Sequence, residues 1–323
     1  MREALFIKQN SAKWQEYENA QTHDPDELAE RFVIISDDLA YAKTFYPQSK
    51  TTLYLNGLAA GFHQSIYKNK KEKTNRFIYF WQFGLPLLFR KYHRQILYSF
   101  IFFVTFFFIG ILSAKYDTSF VRLIMGDDYV NMTNENISKG DPFGVYKSQN
   151  EFLMFWMIAK NNINVLAVSF VLGITLSIGT MYTLFKNGVM VGSFQYFFIS
   201  KGLGLQSITI WIHGTLEIST IILAGAAGLI LGNSILFPKT YTRFVSLKRG
   251  AVDGLKIMLG IVPIVITAAI FESFVTRHTE MPLWLSISIL SVSFLFIVWY
   301  VVIYPLYLSH NLKPGTANYE GKD

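Results

Sequence analysis

The chain has 323 residues, no cysteine and a formal net charge of +7, with 29 Lys and Arg against 22 Asp and Glu. The lack of cysteine excludes a disulfide framework and any thiolate metal site. The basic excess does not suit nucleic acid, which needs cations and aromatics interleaved on a soluble face. Instead Lys68, Lys70, Lys71, Lys73 and Arg76, then Arg90, Lys91 and Arg94, precede the first long apolar segment, where the positive-inside rule puts the cytoplasmic flank of a span.

Met1-Arg2-Glu3-Ala4 opens amphipathic sequence rather than a cleavable signal, so the first membrane segment is expected to insert internally. Over 3–22, Leu5, Phe6, Trp14 and Tyr17 recur at helical intervals. Asp24-Pro25-Asp26-Glu27 reads as a capped helix start. The helix that follows carries Leu28, Phe32, Ile35, Leu39 and Ala42 on one face and ends at Pro47. Residues 51–67 form a third helix with Leu55, Leu58, Phe62 and Ile66 as its stripe; His63 and Tyr67 read as packing or surface residues. Residues 1–76 are thus expected to be a cytoplasmic amphipathic helical domain. Residues 77–95 hold an apolar stretch, 77–89, that is too short to cross and contains Pro86. It reads as an interfacial elbow helix with Trp81 at headgroup level, the alternative being a core helix of the N-terminal domain.

Residues 96–308 then read as a transmembrane bundle with a polar external segment at 115–160, and 309–323 as a cytoplasmic tail. Long apolar segments lie at 96–114, 164–185, 209–231, 255–275 and 283–308. The segment 188–204 is apolar but at the lower limit for crossing. If it crosses, Lys239, Arg243, Lys248 and Arg249 of the next loop, and Lys313 and Lys322 of the tail, all lie inside with the N-terminal domain. The positive-inside rule therefore favours six spans over five. The expected fold class is all-α, a polytopic membrane helix bundle with an N-terminal helical domain. Ser169, Gly173 and Ser177, then Ala224, Gly228 and Gly232, and Gly188 with Gly192, recur every four residues. Such small-residue stripes mark close helix contacts, within one chain or in a homo-oligomer.

Charged groups inside a span are costly and need a reason. His213 and Glu217 share one helix face near the start of a span, and Glu272 lies near the end of the next, antiparallel one, so all three are expected at one depth. A buried hydrogen-bonded cluster is one reading. Handling a proton, or ligating a divalent metal with one imidazole and two carboxylates, is another. His-x-x-x-Glu is not the two-histidine pattern of metalloproteases. Asn161, Asn162 and Asn164 before the second span, and Asn187 with Gly188 after it, are the other candidates, Asn187-Gly188 reading as a helix terminus. No nucleotide loop, dinucleotide fingerprint, nucleophile elbow or catalytic cysteine occurs, so no catalytic residue and no cofactor is expected.

The segment 211–217 (WIHGTLE), followed by 221–232 (IILAGAAGLILG), resembles the histidine-glycine-x-x-glutamate signature and Ala/Gly-rich helix of the stage II sporulation protein M family. Residues 268–275 (AAIFESFV) are similar to that family's Ile-Glu-Ala segment, with Glu272 on its acidic position. Asn161 to Gly192, residues 38–42 and 54–56 with His63 and Tyr67, and 83–90 extend the likeness over nearly the whole chain. Trp211-Ile212 departs from the proline that many members carry. The resemblance implies a non-catalytic membrane scaffold or partner-recruiting subunit of the cell envelope, working beside peptidoglycan-remodelling proteins. The rival readings are a proton- or ion-coupled transporter or channel and, more remotely, an intramembrane enzyme.

Overall fold

The computed structural model describes residues 2–19, 22, 24–68, 76–142, 144, 150–276 and 281–311; no strand occurs among them. The chain is an all-α polytopic membrane protein, and it divides into two compact units after Arg76.

The first unit comprises α1 (Glu3–Asn19), α2 (Pro25–Phe45) and α3 (Lys50–Lys68). The Asp24 carboxylate accepts the Asp26 N–H at 3.0 Å, so the acidic cap starts α2 as its sequence predicts. Phe6, Trp14, Ile35, Ala42, Leu55 and Phe62 close a separate core. Leu5, expected inward, is instead 48% exposed. Trp14 Nε1 donates to Asp38 at 2.8 Å, and Lys13 pairs with the same carboxylate at 2.7 Å, tying α1 to α2. Tyr54 donates to Glu18 at 2.7 Å; burial and then that carboxylate push its phenol up to about 12. His63 is exposed beside Phe32.

The second unit holds α4 (Arg76–Tyr79, whose first residue closes the first unit), a π-helical turn, α5 (Leu85–Lys91), α6 (His93–Tyr116), α7 (Thr118–Met125) and α8 (Asp127–Ser138). Then come α9 (Glu151–Val171), α10 (Ile178–Ser200), α11 (Ile208–Leu236), α12 (Arg243–Ile270), α13 (Leu283–Val298) and α14 (Tyr304–Asn311). Among the described residues, five helical stretches are long and apolar enough to cross a bilayer: His93–Tyr116, Glu151–Ile174, Ile208–Leu236, Arg243–Val275 and Leu283–Asn311. Beside them, α10 has 23 residues, or about 34 Å of helix. It runs antiparallel to α11 along most of that span: Ser177 lies against Gly232, Leu184 against Gly225, and Gln195 accepts from Trp211 Nε1 at 2.8 Å. It therefore covers the depth that α11 covers, although Lys186, Asn187 and Gln195 lower its apolarity.

The expected second span at 164–185 is corrected. The helix begins at Glu151, inside the segment read as polar, and stops near Ile174; Leu176 and Ser177 take positive φ (56° and 73°) before α10 starts. The Thr175 hydroxyl accepts the Gly179 N–H at 2.9 Å and caps the new helix. The two positive-φ positions are Leu and Ser and not glycine, because packing imposes the turn: Gly173 ahead of it and Ser177 within it press against Gly228 and Gly232. The small-residue stripes thus serve contacts within the chain. Likewise Gly188 and Gly192 of α10 sit on the backbone of Phe103 and Phe107 in α6.

The elbow also differs from one expectation. Leu85 and Phe89 are buried with Ile257, Ile261 and Tyr300, so α5 belongs to the bundle core and not to that of the N-terminal domain. Tyr300 donates to the Trp81 carbonyl at 2.7 Å. Asp253, which the sequence does not single out, accepts from Lys91 Nζ at 2.8 Å and Tyr92 OH at 2.6 Å, pinning the elbow to α12. Lys91 is half exposed, so we expect Asp253→Ala to cost only about 1–2 kcal/mol, read as a lower Tm in detergent, with Asp253→Asn milder. At the head of α7, bonds from the Ser119 hydroxyl and N–H hold the Asp117 carboxyl below the usual range. A depressed pKa contributes stability that is present above the ordinary carboxylate value and lost as pH falls through the depressed one. Asp117→Asn is expected to flatten the acid limb of a circular-dichroism titration. Lys70, Lys71, Lys73, Lys313 and Lys322, with the tail from 312, lie outside the described residues.

Candidate functional site

The first turns of α11 carry His213 and Glu217 on one face, and α12 packs antiparallel against it. The α12 helix runs into a π-helical turn, Phe271–Val275, which presents Glu272. Such turns insert one residue and re-aim the side chains beyond it. The result brings His213, Glu217 and Glu272 together, with one ligand atom from each within 4.8 Å of the others. His213 is buried, and its Nε2 faces Glu272 Oε2 at 4.0 Å. Its Nδ1 lies 2.9 Å from Thr276 Oγ1, whose hydroxyl donates to the Phe271 carbonyl at 3.2 Å. That hydroxyl has one proton, so it accepts from Nδ1–H. The imidazole is thereby held with Nε2 toward the carboxylates.

Three cavities meet at Glu217. One of about 280 Å³ is lined by Asn161, Asn164, Lys186 and Asn187 as well as Glu217. Another of about 340 Å³ touches His213, Glu217 and Glu272 together with Tyr129 and Gly214. The third, about 680 Å³, is lined by Asn161, Asn162, Glu217 and Glu272. The asparagines are therefore not helix-end residues. Asn161, Asn162 and Asn164 lie in the middle of α9, because that helix starts thirteen residues ahead of 164. Asn187 lies inside α10, its amide donating to the Thr183 carbonyl at 2.8 Å, and Gly188 is mid-helix where α6 approaches. Asn162 is 6% exposed, and its Nδ2 has no hydrogen-bond partner among the described residues. A Cβ on Gly214 would meet nothing within 4 Å, so packing does not require glycine here.

Sequence reasoning missed Tyr129, Thr276 and Lys186. Thr276 stands four residues after Glu272, a same-face spacing that points to it. Lys186 is a cation inside an apolar run, hidden because that run was taken to end one residue earlier. Tyr129 comes from the short α8, and nothing in its local sequence marks it. Burial, reinforced by nearby Glu272, pushes its phenol up to about 12. Chemically, the layer offers an imidazole, two carboxyls and amides around a cation or proton.

The family model for stage II sporulation protein M matches residues 99–277, more than half of the chain, and that of a domain of unknown function, DUF8413, matches residues 4–68. No curated protein and no solved structure matches the chain.

Proposed function

Because the chain belongs to the stage II sporulation protein M family, we propose that it is a non-catalytic scaffold of the bacterial cytoplasmic membrane, recruiting a partner through its N-terminal domain. The observation that carries this reading is modularity. Residues 1–76 close a core of their own, and a family model separate from that of the bundle matches them. The positive-inside rule applied to Arg90, Lys91, Arg94, Arg243, Lys248 and Arg249 supports a cytoplasmic N-terminus. The His213 layer then falls in the outer half, where α7 and α8 face the envelope and its peptidoglycan-remodelling proteins. One observation favours a second reading, ion- or proton-coupled transport: the cavities that join Glu217 to Asn161, Lys186 and Asn187.

The test is made in liposomes and in native membranes. Reconstituted protein is expected to carry no proton, Na⁺ or K⁺ flux above empty vesicles. Protein extracted in mild detergent is expected to retain a partner protein that a variant lacking residues 1–76 loses. Flux that Glu217→Gln abolishes in a folded protein would replace the scaffold by the transporter.

A further inference from the structure

We propose that His213, Glu217 and Glu272 form a binding site for a divalent transition-metal ion that clamps α11 to α12. This goes beyond the scaffold reading and does not depend on it. Three observations carry it. First, the spacing: His213 Nε2 and Glu272 Oε2 are 4.0 Å apart, and all three ligand atoms lie within 4.8 Å. That is too long for a hydrogen bond, so direct bonding between these two groups does not close the layer. A tetrahedral ion with bonds of about 2.0–2.2 Å spaces its ligands at roughly 3.3–3.6 Å, a contraction that small side-chain rotations supply.

Second, the imidazole is oriented as in a metal site. A ligating histidine fixes its tautomer by donating its other ring N–H to an acceptor, and Thr276 Oγ1, anchored on the Phe271 carbonyl, is that acceptor. Third, Asn162 belongs to the residues around the cavity that Glu217 and Glu272 also line; it is buried, and its Nδ2 lacks a partner among the described residues. One imidazole and two carboxylates suit Zn²⁺, Mn²⁺ or Fe²⁺, whereas Ca²⁺ and Mg²⁺ prefer all-oxygen shells.

The experiment uses the full-length protein in detergent, stripped with EDTA and titrated with ZnCl₂ by calorimetry, with Tm followed in parallel. We expect one Zn²⁺ per chain, a higher Tm on saturation, and no such shift with Ca²⁺. Thr276→Val should weaken binding roughly ten- to hundred-fold, while Thr276→Ser restores it. Glu272→Gln should weaken it further. The threonine pair keeps the test decisive if the glutamate variant fails to fold. Wild-type protein that binds no more Zn²⁺ than a buffer blank would overturn the site in favour of a proton-linked cluster. Zn²⁺ retained undiminished in Thr276→Val and Glu272→Gln would overturn it as adventitious binding elsewhere.

Discussion

Gly228→Leu is expected to destabilise the bundle by about 3 kcal/mol, the upper end for overpacking a tight interface. A Cβ at this position would stand 2.6 Å from the Ser169 carbonyl oxygen and 2.8 Å from Thr180 Cγ2, and would also strike Thr180 Oγ1. The clash cannot be relieved by one rotamer change. Thr180 donates to the Ser169 carbonyl at 2.7 Å, so α9, α10 and α11 are locked at this level. Gly173 presses on the carbonyl of Gly228 from the other side. Lipid supplies no hydrophobic drive for helices to associate, so their close approach carries the packing energy. The measurement is thermal unfolding of the detergent-solubilised variant, with Gly214→Ala as control. Alanine at 214 meets no atom within 4 Å and replaces a poor helix former, so it should be neutral or stabilising by up to about 1 kcal/mol. A Tm for Gly228→Leu equal to wild type would show that these helices are not in contact.

His213→Ala is expected to cost a similar amount, about 3 kcal/mol. The change empties a buried ring volume and removes the hydrogen bond between the imidazole and the Thr276 hydroxyl. Thr276→Val alone should cost about 1–2 kcal/mol. Because the two share one hydrogen bond at 2.9 Å, the double variant should be less destabilised than the sum of the singles by at least about 0.5 kcal/mol. Strict additivity in a double-mutant cycle would separate the two side chains and unfix the imidazole.

Most of the bundle is legible in the sequence, because a bilayer demands long apolar helices and glycine stripes at four-residue intervals. The three helices of the N-terminal unit are legible for an equally local reason: the Asp24-Pro25 cap and the spacing from Leu28 to Ala42 need no tertiary knowledge. What was hidden is imposed from outside the segment. The turn at Leu176-Ser177 puts positive φ on a leucine and a serine, and nearby Gly173 reads as part of a packing stripe, so the apolar run reads as one span, which displaces Asn161, Asn164 and Asn187 from mid-helix to helix ends. The layer of His213, Glu217 and Glu272 was visible because charge inside a span is conspicuous. Its partners were not: Thr276 looks like a helix-end residue, and Tyr129 arrives from another helix. The Asp253 pair with Lys91 spans 162 positions of sequence and has no local signature.

The six crossings that we propose, with the ionisable layer toward the outer face, are tested most directly by single cysteines at Ser119, Gln206 and Thr240, all exposed positions in a chain without native cysteine. Ser246, in the first turn of α12, is less suited because it is buried and its hydroxyl donates to the Ser234 carbonyl. Labelling intact cells with a membrane-impermeant maleimide is expected to modify Ser119→Cys and Gln206→Cys and to spare Thr240→Cys until the membrane is opened. Labelling of Ser119→Cys and Thr240→Cys with protection of Gln206→Cys would mean that α10 does not cross, and would contradict the account.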